Sequence, residues 1–106
     1  MNFGEREAHR MRHIESKTGK SYSICTMNYD HLINTVELLI RKCKLINETK
    51  ENNPRYLNDI EDNLKRLALY YLDLDMRDSL NMIIKQEIEN IYYEYSRYRA
   101  KIHVPT

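Results

Sequence analysis

The sequence predicts a mainly α-helical fold: an elongated antiparallel bundle of three helices preceded by a short N-terminal β-hairpin. Only two of the 106 residues are Gly, two are Pro and none is Trp, a composition that is poor in turn residues. Over three long stretches, apolar residues recur at steps of three and four, which is the period of one face of an α-helix. A chain of this length forms one domain, residues 1–106, whose core needs no metal or disulfide.

The β-hairpin is predicted over residues 11–25. Residues 17–20, with the sequence KTGK, form a turn signal, and Ile14, Tyr22 and Ile24 flank it at partly alternating spacing. Because two strands alone are barely stable in water, this hairpin must lie against the helices or pair with another chain. Residues 1–10 are assigned no element; they are either disordered or anchored by Phe3.

The first helix is predicted over residues 28–50. Asn28 is a favourable N-cap, and Asp30 lies in the first turn, where the helix dipole favours a carboxylate. The predicted core face of this helix consists of Leu32, Val36, Leu39, Cys43 and Ile46.

The second and third helices are predicted over residues 54–74 and 78–102. Asn53 and Pro54 are typical of the cap and the first residue of a helix. Where these two helices meet, the density of Asp is unfavourable inside a helix, so a break is predicted near residues 75–78. Asp73 and Arg77 are nevertheless also spaced for an ion pair in one continuous helix. The predicted core faces are Leu57, Ile60, Leu64, Leu67, Tyr71 and Leu74 in the second helix, and Leu80, Ile84, Ile88, Ile91, Tyr95, Tyr98 and Ile102 in the third.

Charge and motif content argue against several classes of function. Seventeen Lys and Arg against 16 Asp and Glu give a formal charge of +1, which provides no overall field toward DNA or an anionic membrane. Glycine-rich phosphate loops, metal-binding His motifs and nucleophile elbows are missing from the sequence. The chain is therefore predicted to be a non-enzymatic protein without a cofactor or metal.

Cysteine usage and hydropathy predict the compartment. Cys25 and Cys43 have neither a C-x-x-C spacing nor a His at ligand spacing, so both are predicted to be buried thiols in a reducing environment. The N-terminal stretch is charged throughout, and no segment approaches the roughly 18 apolar residues that cross a bilayer. These features predict a cytoplasmic protein that does not engage the membrane.

One face of the first helix carries side chains that a three-helix bundle does not require. With residues placed at about 100° steps, Leu38 and Leu45 lie opposite the core face and form a second apolar line. They are either incidental surface leucines beside ordinary first-turn residues, or part of a contact with another subunit or a partner. The candidate interface consists of His31, Asn34, Thr35, Leu38, Lys42 and Leu45.

The C-terminal stretch places tyrosines among cations. Cations in a last helical turn are favoured by the helix dipole, which accounts for most of this pattern. Aromatic faces beside guanidinium groups can also stack bases and hold phosphates, which predicts a site for a nucleotide or a single strand. The candidate residues are Tyr93, Arg97, Arg99 and Lys101.

A short motif joins the predicted hairpin to the first helix. It consists of Gly19, Lys20, Ile24, Met27 and the run HLINTV at residues 31–36. Over residues 13–40 the chain resembles a type of small phage or prophage protein, in which a hairpin with a Gly turn leads through a Met into a helix beginning H-L-x-N-T. The resemblance implies an accessory protein that binds host machinery, including host defence systems, rather than a catalyst.

Two functions are therefore expected. The first is a phage-type accessory protein that binds and blocks a host or defence-system protein in the host cytoplasm, as an oligomer that uses Leu38 and Leu45. The alternative is a binder or sequesterer of a nucleotide signal or nucleic acid through the Tyr and Arg residues of the C-terminal stretch, with His31 and Asn34 supplied by a neighbouring subunit.

Overall fold

A computed structural model describes residues 12–14, 18–77 and 81–102. This part of the chain is mainly helical, and the prediction of three helices is confirmed within it. The elements are β1 (Arg12–Ile14), β2 (Ser21–Ser23), a 3-10 turn (Ile24–Thr26), α1 (Tyr29–Glu48), α2 (Tyr56–Met76) and α3 (Met82–Ile102). Residues 1–10, for which disorder or anchoring was expected, lie outside the described residues, and so does Leu80 of the predicted core. Within the described residues, no helix is both long and apolar enough to cross a membrane.

The first helix begins at a side-chain N-cap, whereas the N-cap residue of the second makes no side-chain capping hydrogen bond. The Asn28 side chain accepts a hydrogen bond of 2.8 Å from the His31 N–H, as its predicted role as N-cap requires. The second helix begins at Tyr56 rather than at residue 54. Asn53 Oδ1 instead accepts from the Arg55 N–H at 3.0 Å, and the Asn53 carbonyl accepts from the Tyr56 N–H, so Asn53 and Pro54 form a turn before the helix.

The second helix continues past the predicted end at residue 74. It reaches Met76, and α3 begins at Met82, later than the predicted residue 78. Asp73 is tolerated in the last turns because its carboxylate pairs with Arg77 Nε at 2.6 Å within the same segment. The local ion pair thus outweighs the poor helix preference of Asp.

Tyrosines change the predicted core of α2. Tyr56 and Tyr70 are buried, whereas Leu57 and Tyr71 are only half-buried. The reason is that the core supplies a polar partner for each phenol. At the C-terminal end of α3, Ile102 is exposed, contrary to the prediction. The other members of the core are Ile24, Met27, Leu32, Val36, Leu39, Ile40, Cys43, Ile60, Leu64, Leu67, Leu74, Ile84, Ile91 and Tyr95.

The helices pack as a bundle with α1 in contact with both of the others. Lys44 pairs with Glu87, and Lys50 pairs with Glu94, so α1 and α3 run parallel to each other. The intervening α2 runs the opposite way and presents Glu61 to Tyr95 of α3. The principal extents of 48, 31 and 27 Å give an elongated body.

The two strands pair antiparallel and lie beside the helices. His13 is opposite Tyr22 in the register, and Gly19, between the strands, has a left-handed φ of 70°. After β2, the 3-10 turn leaves Cys25 exposed, whereas Cys43 is buried. The prediction of a buried thiol is therefore wrong for Cys25, because a short turn at the end of a two-stranded sheet is covered on one side only.

Candidate functional site

The face of α1 opposite the core is exposed. Leu38 and Leu45 are 55% and 61% exposed to solvent, and Asn34 is exposed one turn before Leu38. Arg41 and Lys42 are also exposed and lie between the two leucines in the sequence. We call these five residues the outer face of α1. It combines a line of apolar side chains with a central pair of cations.

His31 and Thr35, two of the six predicted interface residues, are held by the bundle. Both are half-buried. The His31 ring meets the His13 ring edge to face at 4.9 Å, and the Thr35 hydroxyl donates to the His31 carbonyl at 2.9 Å. The structure thus separates them from Asn34, Leu38 and Leu45, which remain open.

His13 on β1 is a buried polar residue that the sequence pattern did not single out. A hydrogen bond of 2.8 Å joins His13 Nδ1 to the Tyr70 phenol oxygen, and the two rings meet edge to face. His13 thereby links the strand pair to α1 and α2. No local signal in the sequence predicts this contact, because His13 and Tyr70 are 57 residues apart.

A cleft of about 550 Å³ lies between α3 and the turn that follows α1. Three of the four predicted nucleotide-binding residues line it, namely Tyr93, Arg97 and Lys101. They are spaced by four residues, so the helical period places them along one line. We call this space the α1–α3 cleft. Its remaining lining residues are Lys50, Glu51, Glu94 and Tyr98.

Side chains in the α1–α3 cleft already contact one another. The Arg97 guanidinium lies over the Tyr93 ring, with 5.6 Å between Cζ and the ring centroid. The Lys50 ammonium pairs with Glu94 at 2.6 Å, and the Tyr98 hydroxyl donates to the Lys50 carbonyl at 3.1 Å. These contacts tie the turn after α1 to α3 and hold the inner wall of the cleft.

Arg99, the fourth predicted residue, lies on a different surface. It lines a smaller groove of about 240 Å³ together with Tyr92 and Tyr95. Two residues along a helix correspond to a rotation of roughly 200°, so Arg97 and Arg99 point to different sides of α3. That separation was visible in the sequence spacing. By contrast, Lys50 and Glu51 could not be found from the sequence, because the turn after α1 reaches the cleft only in the packed bundle.

In the groove that contains Arg99, a hydrogen bond joins α3 to α2. The Tyr95 hydroxyl donates to Glu61 Oε1 at 2.6 Å. Burial, together with this hydrogen bond to a carboxylate, raises the pKa of Tyr95. The phenol thus remains a neutral donor that joins α3 to α2.

Potential metal ligands in the described part of the chain are dispersed, and its buried cysteine belongs to the core. Within residues 12–14, 18–77 and 81–102, no three His, Cys, Asp or Glu side chains are grouped as metal ligands. Burial raises the pKa of the Cys43 thiol to about 11. A thiol with such a pKa is a poor nucleophile near neutral pH, so Cys43 serves as a core residue.

Comparison with known proteins found no family model, curated protein or solved structure that matches this chain.

Proposed function

We propose that the protein is a non-enzymatic accessory protein that binds and blocks a host or defence-system protein through the outer face of α1. The observation that carries this proposal is the exposure of Leu38 and Leu45, which lie seven residues apart on the side of α1 opposite its packed core face. The resemblance to small phage proteins supplies the class of partner.

Two leucines at this spacing can anchor a partner. Full burial of a leucine side chain contributes about 1.5–3 kcal/mol relative to its exposed state. Residues seven apart lie on the same side of a helix, so Leu38 and Leu45 can enter one apolar groove together. Asn34 extends this line by a polar side chain at its N-terminal end.

The charges on this face favour a partner with an acidic surface. Arg41 and Lys42 lie between the leucines, where carboxylates of a partner would complement them. Two copies of α1 paired antiparallel, with Leu38 against Leu45, would instead place Arg41 of one copy against Lys42 of the other. Because like charges in direct opposition are unfavourable, we propose a different protein rather than a second copy as the partner.

Capture from a bacterial host lysate tests the proposal. The tagged wild-type protein should retain a specific partner, and the double variant Leu38→Asp/Leu45→Asp should lose it because two buried carboxylates oppose docking. The charge-reversal variant Arg41→Glu/Lys42→Glu should also lose an acidic partner. The partner is identified by mass spectrometry, and the solution mass of each variant is measured by light scattering.

Leu72→Asp is the matched control, since Leu72 is an exposed leucine on α2. It should leave capture unchanged. Capture that survives both double variants, or that is lost equally with Leu72→Asp, would count against the outer face of α1. A fall in solution mass caused only by Leu38→Asp/Leu45→Asp would show that the face joins copies of this chain instead.

A further inference from the structure

We infer that the α1–α3 cleft is a binding site for a single nucleotide, whose base stacks on Tyr93 and Arg97 and whose phosphates lie toward Lys101. This site is separate from the outer face of α1 and does not depend on the function proposed for that face. Its volume of about 550 Å³ is within the range of pockets that enclose small ligands, roughly 300–1,000 Å³.

The stacking platform is already assembled. Tyr93 is 64% exposed, and the Arg97 guanidinium covers one face of its ring, with Cζ 5.6 Å from the ring centroid. This contact restricts the long Arg97 side chain, so less conformational freedom is lost when a ligand binds. A flat nucleobase can stack on the open face of Tyr93 or on the outer plane of the guanidinium.

The cations of the cleft are placed for phosphate. Glu94 is paired with Lys50 at 2.6 Å, so the other two cations of the lining, Arg97 and Lys101, share the cleft with one further carboxylate, that of Glu51. Arg97 and Lys101 are one helical turn apart, so both can reach one phosphate chain. Glu51 is exposed at the rim, where its carboxylate can accept hydrogen bonds from ribose hydroxyls.

The helix ends near the cleft favour a nucleotide over a bare phosphate. The C-terminal ends of α1 and α3 carry partial negative charge, which opposes an anion. The two cations offset this charge, but stacking of the base must supply much of the affinity. The near balance of charges also favours one nucleotide over a single strand, because a single strand needs a continuous basic track.

Isothermal titration calorimetry with adenosine triphosphate tests the site, with adenosine and tripolyphosphate as the two fragments. The triphosphate should bind more tightly than either fragment, because the site uses base and phosphate together. Tyr93→Ala and Arg97→Gln should each weaken binding by about tenfold or more.

The chain offers a matched control for each variant. Tyr92→Ala and Arg99→Gln change the same residue types on the same helix but face the other groove. Both should bind the triphosphate within about twofold of wild type, a difference well below that of one lost stacking contact. Circular dichroism of all four variants confirms that each one is folded.

Several results would overturn the inference. The first is no binding of adenosine triphosphate by the folded wild type. The second is a loss of affinity in the Tyr92 and Arg99 variants equal to that in the Tyr93 and Arg97 variants. The third is an affinity for tripolyphosphate equal to that for adenosine triphosphate. Binding of a single-stranded oligonucleotide with steep salt dependence, in the absence of nucleotide binding, would assign the cleft to nucleic acid instead. Leu38→Asp/Leu45→Asp should bind the triphosphate normally, so failure of either proposal leaves the other testable.

Discussion

Tyr56 closes the junction between the first two helices. It is 2% exposed, and its hydroxyl donates to Asn47 Oδ1 at 2.6 Å. Asn47 belongs to the last turn of α1, and Tyr56 is the first residue of α2. Of the two polar atoms of the buried Asn47 amide, the oxygen is bonded in this way, whereas Nδ2 has no hydrogen-bond partner among the described residues. One hydrogen bond thus satisfies a polar atom on each side of the turn.

Tyr56→Phe should destabilise the protein by about 1–3 kcal/mol, because it leaves the Asn47 oxygen buried without its phenol donor. Urea unfolding followed by circular dichroism measures this change. Tyr92→Phe is the control, since Tyr92 is exposed on α3 and its hydroxyl can bond to water. Equal stability of Tyr56→Phe and wild type would show that water replaces the phenol.

Arg77 connects the end of α2 to the turn that follows β2. Its Nε pairs with Asp73, which is nearly buried, and its Nη2 donates to the carbonyl oxygens of Ile24 and Cys25 at 3.2 and 3.3 Å. The guanidinium has several donors in one plane, so it serves the carboxylate and the turn together. The strand pair is therefore attached to α2 through the His13–Tyr70 hydrogen bond, and the turn that follows it is attached through Arg77.

Arg77→Met should cost roughly 3 kcal/mol of unfolding free energy, because it removes the partner of the nearly buried Asp73 carboxylate. The double variant Arg77→Met/Asp73→Leu should recover part of this loss, since no charge is then left unpaired. Chemical unfolding of both variants measures the difference. A double variant less stable than Arg77→Met alone would contradict the view that the unpaired carboxylate causes the loss.

The core of the whole bundle contains acidic groups that must stay protonated. Burial raises the pKa of Cys43 from 9.0 to about 11 and that of Tyr56 from 10.0 to about 12. Above the unfolded values, the unfolded chain loses these protons while the folded chain retains them. The unfolding free energy therefore keeps its full value below about pH 9. It falls progressively as the pH rises from there through the pKa values of Cys43 and Tyr56 in the folded protein.

Urea unfolding at neutral pH and at about pH 10 and 11 should show this progressive loss of stability. Cys43→Ala and Tyr56→Phe should each reduce the slope of stability against pH, although both variants start less stable at neutral pH. The ultraviolet absorbance of tyrosinate, compared between wild type and Tyr56→Phe, independently checks whether Tyr56 stays protonated in the folded protein. Stability that remains constant to about pH 11 would contradict the expected protonation of the core.

Much of the helical architecture was predictable because helix formation depends on local pattern. The period of apolar residues predicted three helices, and Asn28 predicted the start of the first. Helix ends were less predictable: the second helix starts at Tyr56 because Asn53 caps a turn, and it extends to Met76 because Asp73 pairs with Arg77. These ends depend on side-chain bonds that compete with intrinsic helix preference.

The sequence by itself determined which residues share a helix face, including Leu38 with Leu45 and Tyr93 with Arg97 and Lys101. The physical reason is that the angle between side chains on one helix depends only on their spacing. Only the tertiary structure decided what lies opposite these faces. Packing left the outer face of α1 uncovered, and it brought the turn after α1 against α3 to form the α1–α3 cleft. Contacts between residues far apart in the sequence follow from how the helices pack, which no local spacing specifies.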